Sequence, residues 1–324
     1  MTPIAVGVVG AGRHAAALAE YGAPLAGASV SAVAPAPAGL DRAAAAALAR
    51  RLGAAFRRTW DAVATDPALP IVLVAGEDAG RRAVEAALRA GKTVVCPRAA
   101  ATTREELERL AAAAARGGGT LVASGELRAT PAGARAIEAA AQDGLGALHS
   151  IYAAVRLPVP DRPDRAAPIL ERAGWDLLDF VCAATSGPPV RVSATVAGLF
   201  GGTADTAVVI ARLGGDTILT AELSCCLPPS IATAPQGEVE IELIGARDAV
   251  RIEPFRAAVR LYGQRETARL PWLDDAVVTL VHEAVRIAAG EAAPPDPFDH
   301  WRRVIAVMDA INRAAASGGP VTAA

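Results

Sequence analysis

The sequence VGVVGAGRHA at residues 6–15 decides the fold of this chain. It lies in and after the apolar run Ile4–Val9, which is typical of a strand buried on both faces of a parallel sheet. Gly10 permits a tight turn, Gly12 lets a pyrophosphate approach the backbone, and Ala15 permits close packing of a helix on the strand. This strand, turn and helix predict dinucleotide binding at a helix N-terminus, where backbone N–H groups attract phosphate.

Strands and helices alternate over the first 125 residues. Buried strands are predicted at 4–9, 30–34, 71–75, 93–96 and 121–124. The helices between them end at glycines, as at Gly53. A capping box of Thr103 and Glu106 begins another helix. Repeated units of this length predict a Rossmann domain over residues 1–125, with a parallel sheet covered on both faces.

Residues 126–324 have a different pattern. Strands are predicted at 147–157, 190–199, 207–213, 217–224, 239–244, 249–252 and 259–262, and helices at 130–144, 168–184, 274–289 and 297–316. Gly214-Gly215 between two of these strands indicates a hairpin. The sequence therefore predicts a second α/β domain with an open, mostly antiparallel sheet, which would hold the substrate and form oligomers.

Composition excludes several classes of protein. With 324 residues, of which 52% are hydrophobic and 20% charged, the chain is not disordered. A net charge of −2 argues against a nucleic-acid partner. No apolar run is long enough for a membrane span, and no basic N-terminal segment marks a signal peptide. The four cysteines have no metal-binding spacing, so no metal site and a reducing cytoplasm are expected.

The choice of dinucleotide depends on an acid that normally follows the glycine-rich turn by about 20 residues and holds the ribose 2′-OH. No Asp or Glu lies between Glu20 and Asp41, and Pro35 stands at the expected place. Arg13 either meets a 2′-phosphate or is an exposed residue at a helix start. His14 either contacts phosphate or faces solvent. The sequence predicts that NADP(H) is favoured over NAD(H).

Several motifs together resemble the Gfo/Idh/MocA family of oxidoreductases. They are VGVVGAG at 6–12, ALRAGKTVVC at 87–96, RATP at 128–131, GWDLLD at 174–179 and GPV at 319–321. The resemblance covers nearly the whole chain. It implies a Rossmann domain followed by an α/β domain with an open sheet. It also implies hydride transfer between a nicotinamide and a sugar or cyclitol carbon, with homo-oligomers formed through the open sheet.

The departures from the family pattern fall on its working positions. Where the family has Glu-Lys-Pro, this chain has Pro97-Arg98-Ala99, and where it has Thr-Pro, this chain has Gly76-Glu77. Asp176 stands where the family has a catalytic histidine. The resemblance places Gly76 at the cofactor, and Arg98 and Asp176 at the catalytic positions. Lys92, the only lysine in the sequence, precedes the fifth strand and lies at the wrong end for the site.

The residues at positions 98 and 176 affect whether the chain favours oxidation of an alcohol or reduction of a carbonyl or imine. A guanidinium stays protonated, so Arg98 cannot accept the proton of an alcohol. Asp176 is a weak base unless burial raises its pKa. In reduction, Arg98 polarises a carbonyl or imine and Asp176 relays a proton. The sequence thus favours an NADPH-linked reductase of a sugar-like or other small-molecule substrate. The alternative gives both residues structural roles, in a catalytically silent homologue that binds a ligand or a partner protein.

Overall fold

The computed structural model describes residues 3–74, 80–96, 100–141, 144–163, 166–202, 204–228, 237–255, 258–262, 267–271, 276–293 and 296–322. The chain divides into two compact units. The first unit comprises Met1–Ala129 and Asp274–Arg302, and the second comprises Thr130–Leu273 and Arg303–Ala324. The predicted boundary after residue 125 thus lies near the first crossing of the chain, but the chain crosses between the units three times.

A parallel sheet forms the centre of the first unit. Six strands of the described chain pair in the order β3-β2-β1-β4-β5-β6. Their bounds are β1 Ile4–Val9, β2 Ala28–Ala34, β3 Ala55–Phe56, β4 Ile71–Val74, β5 Thr93–Cys96 and β6 Thr120–Ala123. Every pairing is parallel. Residues of β4 and β5 are buried throughout, as expected for strands covered on both faces. The predicted Rossmann domain is confirmed.

Helices follow the strands of the first unit. They are α1 Arg13–Ala17, α2 Ala23–Leu25, α3 Arg42–Leu52, α4 Asp61–Ala64, α5 Arg81–Arg89, α6 Arg104–Gly117 and α7 Glu126–Ala129, and a π-helical turn joins α1 to α2. Gly53 ends α3 with a left-handed φ of 64°, as predicted. Thr103 accepts the N–H of Glu106, but the Glu106 carboxylate accepts the N–H of Thr102. In the predicted capping box, the Glu106 carboxylate therefore binds the N–H of Thr102 and not that of Thr103.

The second unit contains a mixed sheet and its own helices. Nine described strands pair in the order β14-β13-β12-β11-β7-β10-β9-β8-β15. Their bounds are β7 Leu148–Pro158, β8 Arg191–Ala197, β9 Thr206–Arg212, β10 Ile218–Leu227, β11 Glu238–Gly245, β12 Ala249–Glu253, β13 Ala258–Tyr262, β14 Thr267–Pro271 and β15 Val321–Thr322. Among these pairs only β7 with β10 is parallel. The predicted mostly antiparallel sheet is confirmed, including the hairpin at Gly214-Gly215.

The two faces of this mixed sheet differ. Buried residues alternate along its central strands, among them Ile151, Val209, Leu219, Ile241 and Leu243. Helix α8, Pro131–Ala141, packs on β11 and β12 and also contacts α9, Trp175–Ala184. The opposite face carries exposed apolar side chains, namely Tyr152, Val208, Ile210 and Ile218. One face of the sheet thus belongs to the core of its unit, and the other is open in the single chain.

Helix α10, Ala276–Ala288, belongs to the first unit, whereas the sequence predicts it in the second domain. Its residues Ala276, Leu280, Val281 and Ala284 lie in one buried cluster with Val6, Val8 and Val33 of the parallel sheet. Helix α11, Pro297–Ser317, is tied to the same unit at its start, where Arg302 forms an ion pair with Glu108 of α6. A helical apolar stripe shows that a helix covers a core but not which core.

Replacing Leu280 with Ala tests the contribution of α10 to the first unit. Leu280 is 1% exposed, so its truncation should lower the free energy of unfolding by about 2–5 kcal/mol. Glu283→Ala on the exposed face of α10 is the matched control, with an expected change within about 0.5 kcal/mol. Urea denaturation measures both. Equal effects of the two substitutions would contradict the packing of α10 on the parallel sheet.

Candidate functional site

The glycine-rich turn lies where the strand order of the parallel sheet reverses. Strand β1 pairs with β2 on one side and with β4 on the other, so its carboxyl end opens on the crevice where ligands bind in such sheets. Gly10 adopts a φ of 99°, which favours glycine. Its N–H donates to the carbonyl of Ala34 at the end of β2, at 2.9 Å. The turn is thereby fixed against the neighbouring strand.

The backbone at Gly12 is open to a ligand. A Cβ built on Gly12 would meet nothing within 4 Å. The carbonyl of Gly12 accepts the N–H of Ala16 at 3.0 Å, so helical structure begins directly after the turn. Ala15 is fully buried in the cluster that contains Val6 and Val8. A small residue at position 15 lets the helix lie close to β1, and the absent side chain at Gly12 leaves room for a phosphate group.

Asp41 brings an acid to this turn, which the sequence pattern did not reveal. Its Oδ2 accepts the N–H of Ala11 at 2.8 Å, and its Oδ1 accepts the N–H of Ala36 at 2.9 Å. The carboxylate therefore bridges the glycine-rich turn and the segment just after β2. The usual sequence pattern places the acid at the strand end, where Pro35 stands in this chain, and it predicts no acid at this corner. A residue that precedes α3 supplies one, because the loop folds back.

The other cofactor candidates are located only in part. Arg13 and His14 begin α1, and the structure describes their backbone but not their side chains. Gly76 and Arg98 lie outside the described residues. Gly10, Gly12 and Ala15 are therefore the predicted cofactor residues that the structure brings together at one turn, and Asp41 joins them.

Asp176, the predicted proton-transfer residue, lies in the first turn of α9 in the second unit. Its side chain is half-buried, whereas Asp179, one turn later, is fully buried. Neither residue is without an interaction partner. A half-buried carboxylate at a helix start keeps access to water, and it can exchange protons with a ligand that reaches it.

Lys92 has a structural role. It is 6% exposed, and its Nζ donates to the carbonyl of Asp66 at 2.6 Å. Both residues precede strands, β5 and β4, so the ammonium lies at the amino edge of the sheet, opposite the crevice. Since no other lysine exists in the sequence, lysine chemistry is absent from the carboxyl edge of this sheet. His149 and His282 are both exposed, in β7 and α10.

The segment that follows β5 is anchored by an ion pair. Arg81 of α5 donates to Glu106 and to the hydroxyl of Thr102, each at 2.9 Å. Desolvation raises the pKa of Glu106, but the N–H of Thr102 and the Arg81 guanidinium outweigh it and lower the pKa below its usual value. Glu106 is therefore a carboxylate near neutral pH. These contacts fix residues 102–106, a few positions after Arg98.

In a small cleft of the second unit, Arg172 and Asp205 form hydrogen bonds with other groups of the protein. Arg172 donates to the Cys225 thiol at 2.8 Å. The Asp205 carboxylate accepts the N–H groups of Leu199, Phe200 and Gly202. Burial raises the pKa of Asp205, yet these N–H donors outweigh it and hold the pKa below its usual value. Asp205 thus stabilises a turn, and the contacts of the cleft are structural.

Comparison with known proteins supports the interpretation of the first unit. Residues 4–124 match the sequence model of the Gfo/Idh/MocA family, described as an oxidoreductase family with an NAD-binding Rossmann fold. The matched range runs from β1 to the end of β6. A comparison with curated proteins finds no matching sequence.

Solved structures share the fold over nearly the whole chain. A putative myo-inositol dehydrogenase from Sinorhizobium meliloti is 21% identical, with a TM-score of 0.77 and coverage of 99% of this chain and 100% of that one. An oxidoreductase from Agrobacterium radiobacter, in complex with NAD+, L-tartaric acid and magnesium, is 15% identical, with a TM-score of 0.82 and coverage of 99% and 98%. Levoglucosan dehydrogenase, in complex with NADH and L-sorbose, is 18% identical, with a TM-score of 0.78 and full coverage of both chains, 100% each.

No described helix combines the length and the apolar character that a membrane span requires. Within the same residues, no three His, Cys, Asp or Glu side chains are grouped so as to hold a metal ion.

Replacing Gly12 with Val tests the turn as a phosphate site. A valine side chain would occupy open space, so the fold should persist, with a change in unfolding free energy of less than about 1 kcal/mol. Dinucleotide binding should be abolished, because the side chain would meet the pyrophosphate. Titration with NADH and NADPH measures this. Gly319→Val, at another open position of ordinary backbone, is the control and should bind as the parent does. Unchanged binding to Gly12→Val would exclude the turn as the phosphate site.

Proposed function

We propose that this chain, whose residues 4–124 match the sequence model of the Gfo/Idh/MocA oxidoreductase family, is an NAD(P)-dependent reductase of a carbonyl or imine group in a sugar-like or other small molecule. The observation that carries this proposal is the open turn at Gly12, at the carboxyl end of β1. A nicotinamide dinucleotide bound there would supply or accept the hydride. The chain itself must bind the substrate, orient it and move the proton.

Sugar-like substrates are supported by the structural neighbours. One is named as a myo-inositol dehydrogenase, and another is complexed with L-sorbose. Both names refer to polyhydroxylated molecules. For the present chain, we extend only this chemical class, and we include other small carbonyl or imine compounds.

The basic groups present in the chain support reduction over alcohol oxidation. Oxidation of an alcohol requires a base for the hydroxyl proton, and Lys92 is buried at the opposite edge of the sheet. In reduction, we assign Arg98 to donate hydrogen bonds to the substrate oxygen or nitrogen, which gains the electron pair as hydride reaches carbon. Asp176, protonated, then gives its proton to that atom. The reduced product carries one new C–H bond and one new O–H or N–H bond.

A catalytically silent homologue is the competing function. In that case Arg98 and Asp176 have structural roles, and the turn holds a ligand without turnover. The exchanges at the family's two catalytic positions, Arg98 and Asp176, together with a single lysine used structurally, favour this alternative.

A substrate panel decides between these functions. Ketones and imines with NADPH or NADH should be turned over, whereas sugars and cyclitols with NAD+ or NADP+ should react poorly. Arg98→Ala should lower turnover by about a hundredfold or more, since stabilisation of a developing charge is lost. Asp176→Asn should also lower it. Arg82→Ala, an exposed arginine of α5, is the control. Alcohol oxidation that survives both substitutions would refute the reductase, and no turnover in either direction would establish the silent homologue.

The sequence alone predicts a preference for NADP(H). This prediction is based on the missing acid at Pro35 and on Arg13. The Asp41 carboxylate supplies an acid at that corner of the turn, so the first of these two reasons no longer applies.

We also propose that the protein works in the cytoplasm as a homo-oligomer formed through the mixed sheet. Its four cysteines are all free thiols, which suits a reducing compartment. Tyr152 is 48% exposed and Ile210 is 51% exposed, and both pair with Thr220 across adjacent strands. Exposed apolar side chains in neighbouring strands favour burial against another surface.

Ile210→Asp tests this assembly. A carboxylate at the centre of the open face would be buried on association without a partner, so the oligomer should dissociate to monomers. Light scattering after size exclusion measures the mass. Leu199→Asp, an exposed apolar residue outside the sheet, is the control and should remain oligomeric. A monomeric parent protein, or an oligomer that tolerates Ile210→Asp, would contradict this interface.

A further inference from the structure

We propose that Asp41 selects the dinucleotide, and that its carboxylate, by disfavouring a 2′-phosphate, makes the site prefer NAD(H) to NADP(H). This inference rests on the proposed function, since it needs a dinucleotide in the crevice at β1. It assigns to a residue before α3 the task that Rossmann domains usually give to an acid at the end of the second strand.

The position of the carboxylate is fixed at both oxygens. One accepts from Ala11 in the glycine-rich turn and the other from Ala36, two residues after β2. The loop reaches this position through a turn in which the N–H of Gly39 donates to the carbonyl of Ala36 at 2.7 Å. The acid thus lies between the phosphate turn and the end of β2, although its position in the sequence is unusual.

The chemistry of a bound carboxylate discriminates between a hydroxyl and a phosphate. Two oxygens offer about four lone-pair positions, and two backbone donors use only two of them. A ribose 2′-OH can donate to a remaining lone pair. A 2′-phosphate carries about −1.5 to −2 charges, cannot donate in that form, and is repelled by the half-buried carboxylate.

The nearby guanidinium of Arg42 is less well placed to reverse this choice. Arg42 follows Asp41, but its guanidinium donates to the carbonyl of Arg58 at 3.3 Å and is exposed to solvent. Water screens a charge in that position. Arg13 is the other arginine at the turn, and its side chain is not among those described. The test below substitutes Arg42.

The test is a titration of NADH and NADPH into the full-length protein and its variants. The parent should bind NADH at least about tenfold more tightly than NADPH. Asp41→Asn keeps the size of the side chain and removes its charge, so it should bring the two affinities within about threefold, mainly by strengthening NADPH. Asp66→Asn is the matched control, since Asp66 also accepts a backbone N–H but lies at the amino edge of the sheet. It should leave the ratio unchanged, as should Arg42→Ala.

The ratio of the NADH and NADPH affinities shows whether Asp41 selects the dinucleotide or only stabilises the fold. A purely structural Asp41 would weaken both dinucleotides equally on substitution, and that result would overturn the inference. Tighter binding of NADPH by the parent, or equal binding, would overturn it and leave the proposed function intact. A parent that binds neither dinucleotide would refute the proposed function itself. Should the variants fail to fold, the ratio in the parent still decides.

Discussion

The Asp41 carboxylate accepts the N–H groups of Ala11 and Ala36, and the position of the glycine-rich turn in the first unit depends on this bridge. It joins the turn after β1 to the segment after β2. The bond from Gly10 to Ala34 joins the same two segments one step closer to the strands. Together these contacts hold the turn while Gly12 leaves its outer side open. A preorganised, open backbone is what an anion site at this edge of a parallel sheet requires.

The position of the single lysine limits which groups of this chain can transfer a proton. Lys92 is committed to the carbonyl of Asp66 at the amino edge, so proton transfer must use other groups. Arginine keeps its proton under all ordinary conditions, and it can polarise a substrate but not deprotonate it. In the proposed reaction, Asp176 would carry the proton and Arg98 would hold the developing charge, which suits a reaction that delivers a proton. The direction of the proposed reaction thus follows from which titratable groups exist.

The two faces of the mixed sheet in the second unit have different surroundings. One face is buried among its own helices, and the other carries exposed apolar residues such as Ile210. In its cleft, the Asp205 carboxylate accepts three backbone N–H groups, and these hydrogen bonds stabilise a loop. The open face is therefore the part of this unit on which we propose that another copy of the chain packs.

The sequence by itself determined the local elements and the class of fold. The run Ile4–Val9 with its glycines, the cap at Thr103 and the hairpin at Gly214-Gly215 follow from short-range sterics and hydrogen bonding, which neighbouring residues decide. Only the tertiary structure decided that α10 packs on the parallel sheet and that Asp41 reaches the turn. Ala11 and Asp41 are 30 residues apart, and Leu280 is far from Val8 in the chain. Contacts at such separations depend on how elements pack, and the pattern within each element does not contain that information.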